Sequence, residues 1–112
     1  LLRAMHPLLL QSDAGRAIFV TSGAARAAFA YWGAYASSKA GLELLVRTYA
    51  VENAKTSIRA NLLDPGVVDT AMRREAFPGE RAGHNPAPES ITDLFVRLAQ
   101  SSFGETGMLY HV

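Results

Sequence analysis

Gly15-Arg16-Ala17-Ile18-Phe19-Val20-Thr21-Ser22-Gly23 is a short apolar run that follows an Asp-Ala-Gly turn and ends in small hydroxyl residues and a glycine. Its centre, Ala17 to Val20, shows no polar alternation, which predicts a strand over Arg16 to Thr21 covered on both faces, as strands of parallel sheets are. Further along, Ile58-Arg59-Ala60-Asn61-Leu62-Leu63 reads as a second strand over Ser57 to Leu63, ended by Pro65, which cannot continue a hydrogen-bonded ladder. A third strand is expected over Gly107 to Val112.

Helical spacing fills the intervals. From Gly33 to Asn53, Leu42, Leu45, Val46 and Tyr49 recur at three and four residues as one apolar face, with Glu43 and Arg47 as an outer i, i+4 ion pair. Leu1 to Leu10 reads as a helix end with Leu1, Leu2, Met5, Leu8 and Leu9 on its apolar side, although Pro7 inside a helix costs about 3 kcal/mol or more. Residues 23–34 are expected to form a loop. Val67 to Pro88 lacks strand alternation and allows one helical turn near Thr70 to Ala76; a segment of that length is expected to be functional or disordered. Pro88-Glu89-Ser90 opens a last helix whose stripe is Ile91, Leu94, Phe95, Leu98 and Ala99. Strand and helix alternation gives an α/β fold, a parallel sheet with three strands, about three helices and right-handed crossovers.

Composition narrows the function. Of 112 residues, 49% are hydrophobic, enough for a core, and eleven basic against ten acidic side chains leave a net charge of +1 with no basic run, which argues against nucleic acid as a partner. The lack of cysteine excludes a disulfide framework and a thiolate zinc site. No apolar run reaches the ~20 residues that span a bilayer, so the expectation is a cytoplasmic protein without membrane contact. His6, His84 and His111 share no metal-ligand spacing, and no metal is expected. The chain opens at Leu1 in mid-pattern, as a piece of a longer chain would.

The chemistry converges on Tyr35-Ala36-Ser37-Ser38-Lys39. Residues four apart on a helix are surface neighbours, so an ammonium stands beside a phenol and favours its ionisation; an unperturbed phenol, with a pKa of about 10, is a poor proton donor near neutrality. Ser22 and Pro65-Gly66 fall at carboxyl ends of strands, where parallel sheets gather ligands, and Tyr35 enters the adjacent helix.

The strand-end Ser22, the Tyr35/Lys39 pair, Pro65-Gly66-Val67-Val68-Asp69-Thr70 after a strand, and the closing Gly104-Glu105-Thr106-Gly107-Met108-Leu109 together resemble the C-terminal half of the short-chain dehydrogenase/reductase family. The resemblance covers nearly the whole chain and implies the C-terminal part of a Rossmann-like doubly wound parallel sheet, with residues 1–112 as catalytic and substrate-binding portion and the dinucleotide-binding half absent. It implies NAD(P)-dependent interconversion of a carbonyl and an alcohol. Tyr35 would be the acid and base, Ser22 would hold the substrate oxygen, and Lys39 would lower the phenol pKa and bind the nicotinamide ribose. Pro65, Gly66, Val68 and Thr70 would meet the nicotinamide, while Trp32, Met72 and Phe77 would cover a small carbonyl or alcohol substrate. A homodimer or homotetramer is the implied assembly. No G-x-G-x-x-G turn follows a strand, so NAD and NADP are not distinguished. The same frame also fits a noncatalytic α/β binding or scaffold domain, and the tyrosine and lysine fit a nucleotide-sugar epimerase or dehydratase.

Overall fold

The computed structural model describes residues 1–112. In chain order the elements are α1 (Leu2–Gln11), β1 (Arg16–Val20), α2 (Gly33–Glu52), β2 (Arg59–Asp64), α3 (Ala71–Ala76), α4 (Thr92–Ala99) and β3 (Leu109–His111), with single 3-10 turns at Gly23–Ala25 and Pro88–Ile91. The three strands are parallel in the order β1-β2-β3. Phe19 stands opposite Leu62, and Leu62 opposite Leu109. The fourth helix beyond the expected three is the short α3, started by the Thr70 side chain, which accepts a hydrogen bond from the Arg73 N–H.

One core lies between α2 and the sheet. Val46, Tyr49 and Ala50 of α2 pack on Ile58, Ala60 and Leu62, with Leu2 and Leu9 of α1 and Ala17 and Phe19 of β1 closing its margin. Alternation along a strand sends Leu63 to the other face. Leu63 and Leu98 are fully buried yet stand outside this core cluster, and α4 packs against β1, so α4 covers the second face. That placement corrects the expected crossover handedness. The strands advance in one direction while the connecting helices α2 and α4 lie on opposite faces, so the two crossovers have opposite hands and cannot both be right-handed.

Polar residues inside the sheet are all engaged. Asn61, 1% exposed, donates from Nδ2 to the Glu105 carbonyl at 2.9 Å and accepts the Met108 N–H at 3.0 Å, so it fixes the approach to β3. Arg16 and Arg59 face each other in register at the amino end of the sheet. Arg16 donates to the carbonyls of Gln100, Ser101 and Ser57, and Arg59 to those of Gly104, Thr56 and Ile58. Burial, and then the charge of Arg59, depress the Arg16 pKa.

Several expected faces turn differently. Pro7 does not end α1, whose inner side is Leu2, His6 and Leu9; Leu1, Met5 and Leu8 are exposed. His6 shares a 2.7 Å hydrogen bond with the Tyr49 hydroxyl, half-buried rather than loose on the surface. On α2, Leu45 is 54% exposed and Glu43 takes the inward position. The expected Glu43–Arg47 pair is present at 4.0 Å, but its carboxylate is buried rather than on the outer side. On α4, Leu98 is buried but Ala99 is exposed. No helix is long and apolar enough to cross a membrane.

Candidate active site

The carboxyl ends of β1 and β2 and the amino end of α2 meet on one rim. Ser22, in extended backbone, caps the turn that follows β1: its Oγ accepts the Ala24 N–H at 3.2 Å, leaving the hydroxyl proton and a lone pair for a ligand. Tyr35 lies in the first turn of α2 and is 40% exposed. The Lys39 Nζ lies 5.8 Å from the Tyr35 ring centroid and donates to the Val20 carbonyl at 3.0 Å. An ammonium carries three donors, so two remain.

The loop before α2 turns sharply at Tyr31, whose φ of 70° is left-handed and whose side chain is fully exposed. Such a conformation in a tyrosine is strained by about 1–3 kcal/mol. Tyr31 therefore stands clear of the rim, whereas Trp32 turns inward. Its ring meets Phe29 at 5.4 Å, Tyr35 edge-on at 5.8 Å and Phe77 at 5.9 Å. Of the three residues expected to cover a substrate, the structure joins Trp32 and Phe77; Met72 is 70% exposed on α3.

Segment 67–88 is ordered by its own polar contacts. The Arg73 guanidinium lies 3.7 Å over the Phe77 ring and holds Glu80 through two hydrogen bonds, and Asn85 donates to the same carboxylate. The Arg73 hydrogen bond depresses the Glu80 pKa, and the Glu80 bond raises that of Arg73. Asp69 pairs with Arg74, and its N–H donates to the Pro86 carbonyl at 2.9 Å.

Beside this rim, Gly66 has φ +69° and nothing within 4 Å of where a Cβ would stand, so the turn after β2 is open to a close-approaching ligand. Its N–H is held by Asp64 Oδ1 at 3.1 Å. An open glycine turn, a half-buried Val68, the Thr70 hydroxyl and the two remaining Lys39 donors fit the hydroxyls and amide of a dinucleotide's nicotinamide end.

A buried charged cluster under the rim escaped the sequence reading. Glu43 and Asp64 are 6% and 7% exposed, and the Arg26 guanidinium bridges them, Nη1 to Glu43 and Nη2 to Asp64. Thr21 Oγ1 donates to Glu43 at 2.7 Å, and His111 Nδ1 stands 3.7 Å from Asp64. A signal was present: Tyr35, Lys39 and Glu43 are spaced i, i+4, i+8, which puts the carboxylate on the face of the phenol and ammonium.

Comparison with known proteins gives the family of the chain. The family model for short chain dehydrogenase matches residues 1–81. The chain is 40% identical over 111 residues to the uncharacterized oxidoreductase YciK of Escherichia coli (strain K12), covering 98% of this chain and 44% of YciK. It is 40% identical over 97 residues to a benzil reductase ((S)-benzoin forming) of Saccharomyces cerevisiae, covering 86% of this chain and 36% of the reductase. A short chain dehydrogenase of Escherichia coli CFT073, crystallised with NADPH, superposes with a TM-score of 0.90 at 39% identity, over 97% of this chain and 45% of that one. The chain thus spans less than half the length of these relatives. With the parallel sheet and the matched sequence in agreement, the chain belongs to the short-chain dehydrogenase family.

Proposed function

We propose that these residues are the C-terminal, catalytic and substrate-binding portion of an NAD(P)-dependent oxidoreductase that interconverts a small carbonyl compound and its alcohol. The observation that carries this reading is the Lys39 ammonium lying over the exposed Tyr35 phenol at the carboxyl rim of a parallel sheet. NADH or NADPH, when bound, supplies the hydride that reaches the carbonyl carbon. Tyr35 gives its phenolic proton to the carbonyl oxygen in reduction and takes it back from the alcohol in oxidation. Ser22 donates its hydroxyl proton to the same oxygen and orients it. Lys39 keeps a positive charge beside the phenol, stabilising the phenolate left by proton transfer, and its two remaining donors hold the ribose hydroxyls.

Pro65, Gly66, Val68 and Thr70 receive the nicotinamide amide, and Trp32, Phe77 and Met72 cover the substrate and exclude water. The relative crystallised with NADPH supports NADP(H), and NAD(H) fits the same residues. We further infer a homodimer or homotetramer that works in the cytoplasm without nucleic acid or membrane partners.

The test is Tyr35→Phe in the full-length enzyme, assayed with NADPH across a panel of aldehydes and ketones. General acid catalysis contributes about 10²- to 10⁴-fold, so turnover should fall by that factor while NADPH affinity holds. Near-wild-type turnover in the variant would refute the assignment.

A further inference from the structure

We propose that Arg26 is a positioning residue for the nicotinamide-binding turn, acting through the buried Glu43 and Asp64 carboxylates; this rests on the oxidoreductase reading above. Three parts of the rim come from separate stretches of chain: the loop after β1, the first turns of α2, and the turn after β2. Arg26 belongs to the first, Glu43 lies one turn further along the second than Lys39, and Asp64 ends the strand that leads into the third, and one guanidinium holds both carboxylates. The planar guanidinium has fixed donor directions, so it sets the spacing of its two partners as a flexible ammonium cannot.

Each carboxylate carries the constraint onward. Asp64 Oδ1 accepts the Gly66 N–H at 3.1 Å, so the oxygen that Arg26 does not hold fixes the open glycine turn. Glu43 accepts from Thr21 Oγ1 at 2.7 Å, next to Ser22, and lies one helical turn beyond Lys39. Arg26 therefore reaches the site from both sides of the reacting centre without lining it. Around the cluster stand Arg47 at 4.0 Å from Glu43 and His111 at 3.7 Å from Asp64, neither of which spans both carboxylates. Losing Arg26 leaves two carboxylates, each less than a tenth exposed, side by side with no shared cation. Their repulsion acts directly on the residue before Pro65-Gly66.

The experiment is calorimetric titration of NADPH into the full-length enzyme, which reads affinity and the fraction of competent sites separately. Wild-type binding comes first; if the wild type binds neither NADPH nor NADH, the oxidoreductase reading itself fails. Given binding, Arg26→Met should weaken NADPH by about tenfold, a change of about 1.4 kcal/mol, with an unchanged number of sites. Arg26→Lys, reaching one carboxylate only, should recover part of the loss. If Arg26→Met folds poorly, the triple variant Arg26→Met/Glu43→Gln/Asp64→Asn removes the buried charges and is read in the same way. It should stay weak for NADPH while its melting temperature rises above that of the single variant. Fewer competent sites at wild-type affinity, in either variant, would show a purely structural role and overturn the inference.

Discussion

Gly107, at the turn into β3, is the position where a single methyl group should be felt twice. Its φ is +74°, and a Cβ added there would stand 3.3 Å from the Ala50 Cβ. Holding an alanine in left-handed backbone costs roughly 1–2 kcal/mol. Crowding against a buried helix residue adds to this, within the range of about 1–3 kcal/mol for overpacking. In the other direction, alanine stiffens the unfolded chain and returns about 0.4–1 kcal/mol. Gly107→Ala should therefore destabilise by about 1–4.5 kcal/mol net, read as a lowered urea midpoint at constant slope in the full-length enzyme. Combining it with Ala50→Gly separates the two causes. The double variant removes the methyl–methyl contact but leaves the backbone strain, so the two changes should fall short of additivity by about 0.5 kcal/mol or more. A neutral or stabilising Gly107→Ala would refute both the left-handed turn and its packing on α2.

Two further outcomes follow from other parts of the fold. Burial first, and then the hydrogen bond and charge of Glu105, push the Tyr110 pKa up from 10.0 to about 12; the native state keeps a proton that the unfolded chain loses in that window, so this stabilisation is present below pH 10 and is lost as the pH rises to about 12, a slope that Tyr110→Phe should remove from melting curves taken across that range. The outward side of α2 carries Leu44, Leu45 and Val51, at 68%, 54% and 77% exposure, so sedimentation of the full-length enzyme at micromolar concentration should show a dimer or tetramer that Leu45→Glu shifts toward monomer, whereas a wild-type monomer would count against assembly through this helix.

The sheet was legible because β1 is apolar without alternation and the three strands are punctuated by Gly15, Pro65 and Gly107, and the observed strands fall within one or two residues of those expected. Tyr35 and Lys39 were legible because helical spacing alone brings i and i+4 together, and the observed ammonium lies over that ring. What escaped depends on partners distant in sequence. Glu43 looks like a solvated helix residue until Arg26, seventeen positions earlier, and Asp64 are brought beside it by the fold. Periodicity treats every charge as outward, so it sets the buried face of α2 toward Leu45, whereas that face is turned the other way to take in Glu43 and Ala50. The opposite hands of the two crossovers were hidden for a similar reason, since element order does not say which face a helix covers.

The bond from Lys39 to the Val20 carbonyl has a mechanical meaning. β1 pairs in register with β2, and its last residue is fastened to the site's ammonium. A slip of β1 by one residue against β2 would move that carbonyl about 3.3 Å along the strand, farther than a hydrogen bond can stretch. The lysine would then either follow the strand away from Tyr35 or let go of its anchor. The strand thus works as a linkage rod: strain along β1 is delivered, through one carbonyl oxygen, to the charge beside the phenol.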